Sequence, residues 1–184
     1  MQYEGKEVKA VIFDLDGVLV KSFTTTPLPG AKEHIASLKK QGIPVAIATN
    51  QAGPIWRWRT GQQKYPDAQR LIQNIVAISG ALELEGVPWW ISLGELRVRD
   101  QIGSDNYYTA LQKIKEELLS TLNERIFHVD HVISWRKPEP GMLLAAATHF
   151  DIEPEHCLYV GDMDTDRVAA ETAGMMFEMV NQEK

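Results

Sequence analysis

A single cysteine, Cys157, is the whole thiol content of these 184 residues. No internal disulfide can form, and metal ligation by paired thiolates is excluded. In "HCLYVGD" that cysteine reads as a small apolar residue opening a buried strand. A chain of this length needs no covalent staple, because it buries enough apolar surface for one substantial core. No apolar run approaches the roughly 20 residues that cross a bilayer. The opening "MQYEGKEVKA" lacks the basic start and adjoining apolar core of a secretory leader. The expectation is a cytoplasmic protein without membrane contact. Internal repeats, low-complexity linkers and long coiled-coil heptads are missing too, so a single domain over 1–184 and a monomer are expected. Positive charge is not in excess either. The net charge of −6 argues against an extended nucleic-acid footprint, while leaving open anion binding through a metal and main-chain amides.

What is present is a strand and helix alternation. Residues 8–14 and "IPVAIAT" (43–49) are continuous apolar runs suited to parallel strands buried on two faces. Between them "GAKEHIASLKKQG" repeats apolar residues at Ala31, Ile35 and Leu38, behind Pro29 and Gly30 and ahead of Gly42, which predicts a helix. The segment 50–66 reads as turn-rich. Asp67 then caps a helix with the stripe Leu71, Ile75, Ile78 and Leu82, and "VPWWISL" follows as a strand in which Trp89 and Trp90 pack. Residues 94–104 read as irregular. A further amphipathic helix carries Tyr108, Leu111, Lys115 and Leu118 or Leu119 on an imperfect face. "IFHVDHVI" (126–133) is open between strand and loop. "PGMLLAAATHF" is helical, "CLYVGD" a strand, "TDRVAAETAG" a helix closed by Gly174, and "MMFEMV" a last strand. The fold class is α/β, a three-layer doubly wound and mostly parallel sheet with a minimal cap. The segment 94–134 is a small insertion or extended connection within it.

Such sheets place their sites beyond the C-terminal ends of the strands. Asp14, Thr49 and Asp162 each end a strand, and Lys137 precedes the helix opened by Pro138, Pro140 and Gly141. One crevice can therefore collect them. Asp14, Asp16, Asp162 and Asp166 concentrate negative charge that an apolar crevice tolerates only beside a cation or proton. A hard divalent ion with oxygen ligands answers this, and magnesium favours a few carboxylates together with phosphate and water. Lys137 balances acids and phosphoryl oxygens, Thr49 hydrogen-bonds the latter, and Gly17 allows a sharp turn around the two acids.

With "DLDGVLV", Thr49 in "IATN", Lys137 in "WRKPEPG" and "GDMDTD" occurring in this order over 10–179, the sequence resembles the phosphatases of the haloacid dehalogenase-like hydrolase superfamily. The resemblance implies that Asp14 attacks phosphorus to form an aspartyl-phosphate. It also implies that Asp16 protonates the leaving oxygen and then activates water. Magnesium would be held by the Asp14 and Asp162 carboxylates and the Asp16 carbonyl, with Asp166 ligating or orienting.

A narrower resemblance rests on "TNQAG" (49–53) and "RKPEPGM" (136–142), which are similar to histidinol-phosphate and heptose-bisphosphate phosphatases and to the phosphatase part of polynucleotide kinase-phosphatases. These have little or no cap. The cysteine-rich zinc loop of the first two is missing here, since 94–134 holds no cysteine, and His128, Asp130 and His131 do not replace it. Asn50, Arg57, Arg59 and Arg136 are candidate substrate contacts. In "WRWR" (56–59) the arginines suit a second phosphate, a carboxylate or a nucleic-acid backbone, with Trp56 or Trp58 stacking on a sugar or base, or packing while the arginines face solvent. The expected substrate is a small phosphorylated metabolite such as a sugar phosphate. The alternatives are a nucleic-acid 3'-end phosphatase and a noncatalytic phosphate-binding interaction protein.

Overall fold

The computed structural model describes residues 1–94 and 105–180. Most of the stretch 94–104, read above as irregular, lies outside the described residues. Six parallel strands form the main sheet. They are β3 (Ala10–Phe13), β4 (Val45–Asn50), β5 (Trp89–Ser92), β6 (Phe127–Asp130), β7 (Cys157–Gly161) and β8 (Met176–Met179), in the order β6-β5-β4-β3-β7-β8. Ahead of them β1 (Gln2–Tyr3) and β2 (Lys6–Glu7) make a small antiparallel hairpin. No apolar period announced it, because its residues are exposed or half-exposed. Six helices fill the connections: α1 (Ala31–Lys40), α2 (Gly53–Thr60), α3 (Ala68–Ala81), α4 (Asp105–Thr121), α5 (Gly141–Phe150) and α6 (Asp164–Ala173).

The period-two alternation of the strands separates two cores. Val11, Phe13, Ile47, Trp89 and Ile91 face Ile35 and Leu38 of α1, Leu71, Ile75 and Ile78 of α3, and Leu111 and Leu118 of α4. Ala10, Ile12, Ala46, Ala48 and Tyr159 face Met142, Leu143 and Ala146 of α5 and Ala169 and Ala170 of α6. Alanines on both sides of this second interface let α5 and α6 lie close to the sheet.

Local chemistry sets the element ends. The Asp67 carboxylate accepts the Arg70 N–H at 2.8 Å and caps α3. Gly174, at φ 74°, closes α6. Two readings of the sequence are corrected, and one that it left open is resolved. The segment 50–66 is not turns throughout, because Gly53–Thr60 is helical, with Pro54 in its first turn and Gly61 in the left-handed conformation at its end. On α4 the buried tyrosine is Tyr107, beside Ala110 and Leu111, while Tyr108 is exposed. Neighbouring positions on a helix point about 100° apart, so the tyrosine is misplaced while Leu111 and Leu118 are buried as expected. The open segment 126–133 supplies a sixth strand, paired Trp90 to His128, with those rings stacked 4.8 Å apart.

The order in which strands are added to the sheet switches sides at β3. From there β4, β5 and β6 build outward to one side and β7 and β8 to the other. The crevice at this switch point lies between the ends of β3 and β7. Among the described residues no helix is long and apolar enough to cross a membrane.

Cys157 is fully buried where β7 starts, and burial pushes its thiol up to about 11. At pH 8 it is therefore protonated as well as inaccessible. A colorimetric thiol reagent should label less than a tenth of the folded protein in the time that labels the urea-unfolded chain completely. Equal labelling rates in the two states would contradict this burial.

Candidate active site

Asp14 follows β3 directly, and its N–H donates to Val160 O of β7 at 2.9 Å, which fixes the carboxylate over the switch point. Lys137 arrives from the loop before α5. Its ammonium lies 2.8 Å from Asp14 Oδ1, 2.7 Å from Asp166 Oδ1 and 2.7 Å from the Tyr159 hydroxyl. Three N–H bonds thus meet three oxygens, and all four residues are buried. A buried ammonium is tolerable only on such terms.

Asp166 is held from every side. Its Oδ1 faces Lys137 and Tyr159, while Oδ2 accepts the N–H groups of Asp162 at 3.2 Å and Met163 at 3.0 Å, just ahead of α6. Gly161 makes room for it. A Cβ at position 161 would sit 2.4 Å from Asp166 Cβ. Tyr159 has a single proton within reach of Ala48 O at 3.2 Å and Asp166 Oδ1 at 3.1 Å, and it accepts from Lys137. Burial above all, then Asp14 and Asp166, holds its phenol well above the usual range.

Burial pushes Asp14 up to about 6, with Asp166 adding to the rise and Lys137 opposing it. For Lys137, burial works to lower the value, but Asp14 and Asp166 outweigh it and the ammonium titrates above its ordinary range. One lysine cannot neutralise Asp14, Asp166 and the half-buried Asp162. Carboxylate oxygens of these three lie within 4.8 Å of one another, a donor set that fits a hard divalent cation.

Asp16 is placed apart from that trio. Gly17, at φ 78°, turns the chain. The Asp16 carboxylate faces the crevice, accepting Phe23 N–H at Oδ1 (2.8 Å) and the Gln51 side-chain amide at Oδ2 (2.9 Å). The same Gln51 amide donates to Thr49 Oγ1 at 3.1 Å. Asn50 clasps the lysine loop: its Oδ1 accepts Lys137 N–H and its Nδ2 donates to Lys137 O, each at 3.2 Å.

A crevice of about 870 Å³ lies beside this centre, bordered by Asp16, Asn50, Gln51 and Arg136 together with Trp56, Arg57, Tyr65 and Arg70. The arginines of "WRWR" are engaged with their own chain. Arg57 donates to Tyr65 O at 3.1 Å and to the Gln63 side chain, and pairs with Asp67 at 3.5 Å. Arg59 lies over the Trp56 ring at 5.1 Å. His128 stacks on Trp90, and Asp130 pairs with Lys115 at 3.3 Å, so neither joins the acidic trio.

Sequence reasoning passed over Tyr159, Gln51 and Gly161. The signal for Tyr159 was a phenol inside a strand buried on both faces, since a buried hydroxyl needs a partner. Gln51 sat in "TNQAG" beside two residues that were chosen.

Two family models match the chain. One, described as haloacid dehalogenase-like hydrolase, covers residues 11–55, and the other, HAD-hydrolase-like, covers 134–184. Between them they take in Asp14, Asp16, Thr49, Asn50, Lys137, Asp162 and Asp166. D-glycero-beta-D-manno-heptose-1,7-bisphosphate 7-phosphatase of Pseudomonas putida is 26% identical over 91% of this chain and 79% of its own. D-glycero-D-manno-heptose-1,7-bisphosphate 7-phosphatase of Thermosynechococcus vestitus is 27% identical over 90% and 74%. The fold is shared with the crystal structure of D,D-heptose 1,7-bisphosphate phosphatase from B. bronchiseptica in complex with magnesium and phosphate. Its TM-score is 0.62 at 22% identity, over 94% of this chain and 80% of that one.

Two consequences are measurable. With its folded value raised from 3.8 to about 6, Asp14 contributes stability that is complete below 3.8 and lost as pH rises through 6. A divalent cation needs the ionised carboxylate, so its effect has the opposite sign. At one fixed Mg2+ concentration, the rise in melting temperature should be small at pH 5, grow through about pH 6 and level off by pH 7.5. A shift that shrinks with rising pH would refute the assignment of Asp14 to the cation site. Separately, Gly161→Ala forces Asp166 away from the β7 end, and should cost about 1–3 kcal/mol in urea unfolding and weaken Mg2+ binding. A wild-type midpoint together with wild-type affinity would show that the close approach is unimportant.

Proposed function

Because the chain belongs to the haloacid dehalogenase-like hydrolases, we propose that it is a magnesium-dependent phosphomonoesterase that works through an aspartyl-phosphate on a small phosphorylated metabolite of the sugar phosphate class. The observation that carries this reading is the buried Asp14, Lys137 and Asp166 arrangement with Asp162 beside it at the switch point. The heptose bisphosphates named for the similar proteins support the substrate class.

Asp14 and Asp162 would hold Mg2+ through their carboxylates, with the Asp16 carbonyl as the family resemblance implies, and bound there the ion neutralises phosphoryl charge. Asp166 orients this shell, because both its oxygens are committed to Lys137, Tyr159 and two main-chain N–H groups. Asp14 attacks phosphorus: its carboxylate oxygen forms the new P–O bond as the ester P–O bond breaks. Asp16, at the crevice side, gives its proton to the departing oxygen, so the organic group leaves as an alcohol. Asp16 then takes a proton from water, whose oxygen attacks the phosphorus of the aspartyl-phosphate. Inorganic phosphate is released and Asp14 returns to its starting state. Lys137 stabilises charge on the phosphoryl oxygens, and one of its three contacts must open to admit them. Thr49 Oγ1 accepts from Gln51 and keeps its own proton for a phosphoryl oxygen. Asn50 and Gln51 position Lys137 and Asp16, while Arg136, on the crevice wall, is placed for the substrate's organic part.

A panel of sugar phosphates, sugar bisphosphates, histidinol phosphate, nucleotides and 3'-phosphorylated oligonucleotides tests this. Phosphate release should occur with sugar phosphates, vanish on chelation of Mg2+, and fall on the order of 10³-fold or more in Asp14→Asn. Preference for oligonucleotide ends would favour the nucleic-acid alternative. Binding of phosphate esters without turnover would favour a noncatalytic protein.

A further inference from the structure

Phe23 has no role in the chemistry just described, yet it is the most exposed large apolar residue among those described, at 96%. Its backbone is left-handed, at φ 61°, which is costly for any residue with a Cβ. The loop that carries it is closed, with Lys21 N–H donating to Thr26 O at 2.9 Å and Thr24 N–H to Lys21 O at 3.0 Å. Phe23 N–H in turn holds Asp16 Oδ1 at 2.8 Å. Phe23 lines the crevice beside Asp16, while Leu71, Ile75 and Ile78, which border it too, are buried in the core and offer a ligand almost no surface. The other rings there already have partners. Trp56 and Tyr65 stack on each other at 6.0 Å, Arg59 lies over the first, and Lys64 lies over the second at 5.0 Å.

We infer that Phe23 is the contact for the leaving group and selects phosphate monoesters whose organic part presents a flat apolar face, either a nucleobase or the C–H face of a sugar ring. The inference rests on the phosphatase reading and narrows it. A face laid on Phe23 covers a ring that otherwise stands almost wholly in water. Because the same residue's N–H binds Asp16, stacking registers the ester oxygen against the carboxylate that must protonate it. Phe23 is thus a binding contact through its ring and a positioning residue through its main chain.

Phe23→Gly separates the two roles: glycine accepts φ 61°, keeps the N–H to Asp16 and deletes the ring. The measurement is kcat/KM for a nucleoside monophosphate, for glucose 6-phosphate and for glycerol 3-phosphate, which offers no face. The glycine variant should lose about tenfold more on at least one ring-bearing substrate than on glycerol 3-phosphate, chiefly through KM, and Phe23→Tyr should recover most of that loss. The substrate that suffers more identifies which kind of face is bound. Equal losses on all three, or none, would overturn the inference while leaving the phosphatase standing. Absence of phosphate release by the unaltered protein from every ester of the wider panel, or release that survives in Asp14→Asn, overturns the phosphatase reading itself and this inference with it.

Discussion

The ammonium of Lys137 is the charge on which the rest of the centre depends. Asp14 and Asp166 are buried like charges, and without the lysine between them one would have to take up a proton or the fold would have to open. Losing one partner from a buried ion pair costs about 3–5 kcal/mol, because the other is left stranded in a low dielectric. Several features elsewhere serve that one placement. Asn50 fixes the lysine's main chain from the end of β4. Tyr159 takes the third N–H. The bare Cα of Gly161 lets Asp166 come near, and that of Gly141 lets the turn at Ser134 press against the start of α5, where any Cβ would lie 2.2 Å from Ser134 O.

The acids divide into two groups by what surrounds them. Asp14, Asp162 and Asp166 converge on the switch point, where their charge exceeds what one lysine balances and their oxygens fit a divalent cation. Asp16 is two residues from the first of these but opens onto the crevice, between a main-chain N–H and an amide. The turn at Gly17 makes that separation. Two carboxylates one residue apart thereby acquire different neighbours, the physical condition that the proposed division into nucleophile and proton carrier requires.

Much of this was legible in the chain. Continuous apolar runs ending in Asp14, Thr49 and Asp162 announced parallel strands and the edge where their ends would meet, because a strand buried on both faces has no use for a terminal carboxylate except at a site. Tyr159 was harder to see, since its role depends on a lysine 22 residues away in sequence and on which face of β7 looks toward it. The intrachain contacts of the arginines of "WRWR" were hidden for a related reason. Composition shows a cation, but only coordinates show that Arg57 already serves the carbonyls and side chains of its own following loop. The Tyr107 and Tyr108 exchange reflects two equal-sized aromatics side by side, between which periodicity discriminates weakly.

The sheet order has a consequence for how the chain is made. β3 emerges near the start of synthesis, yet its partner β7, joined to it from Ala10↔Cys157 to Phe13↔Val160, appears only near the end. Until that strand docks, Asp14 stays hydrated and Lys137 lacks Tyr159 and Asp166 from its cage. The electrostatic cost of assembling the centre therefore falls at the last long-range closure, when the apolar faces of β3 and β7 are buried in the same step and can offset it. A nascent or clipped chain lacking the final quarter is then not a weakened catalyst but an inert one, because Asp162 and Asp166 go with it and Asp14 alone is left of the trio.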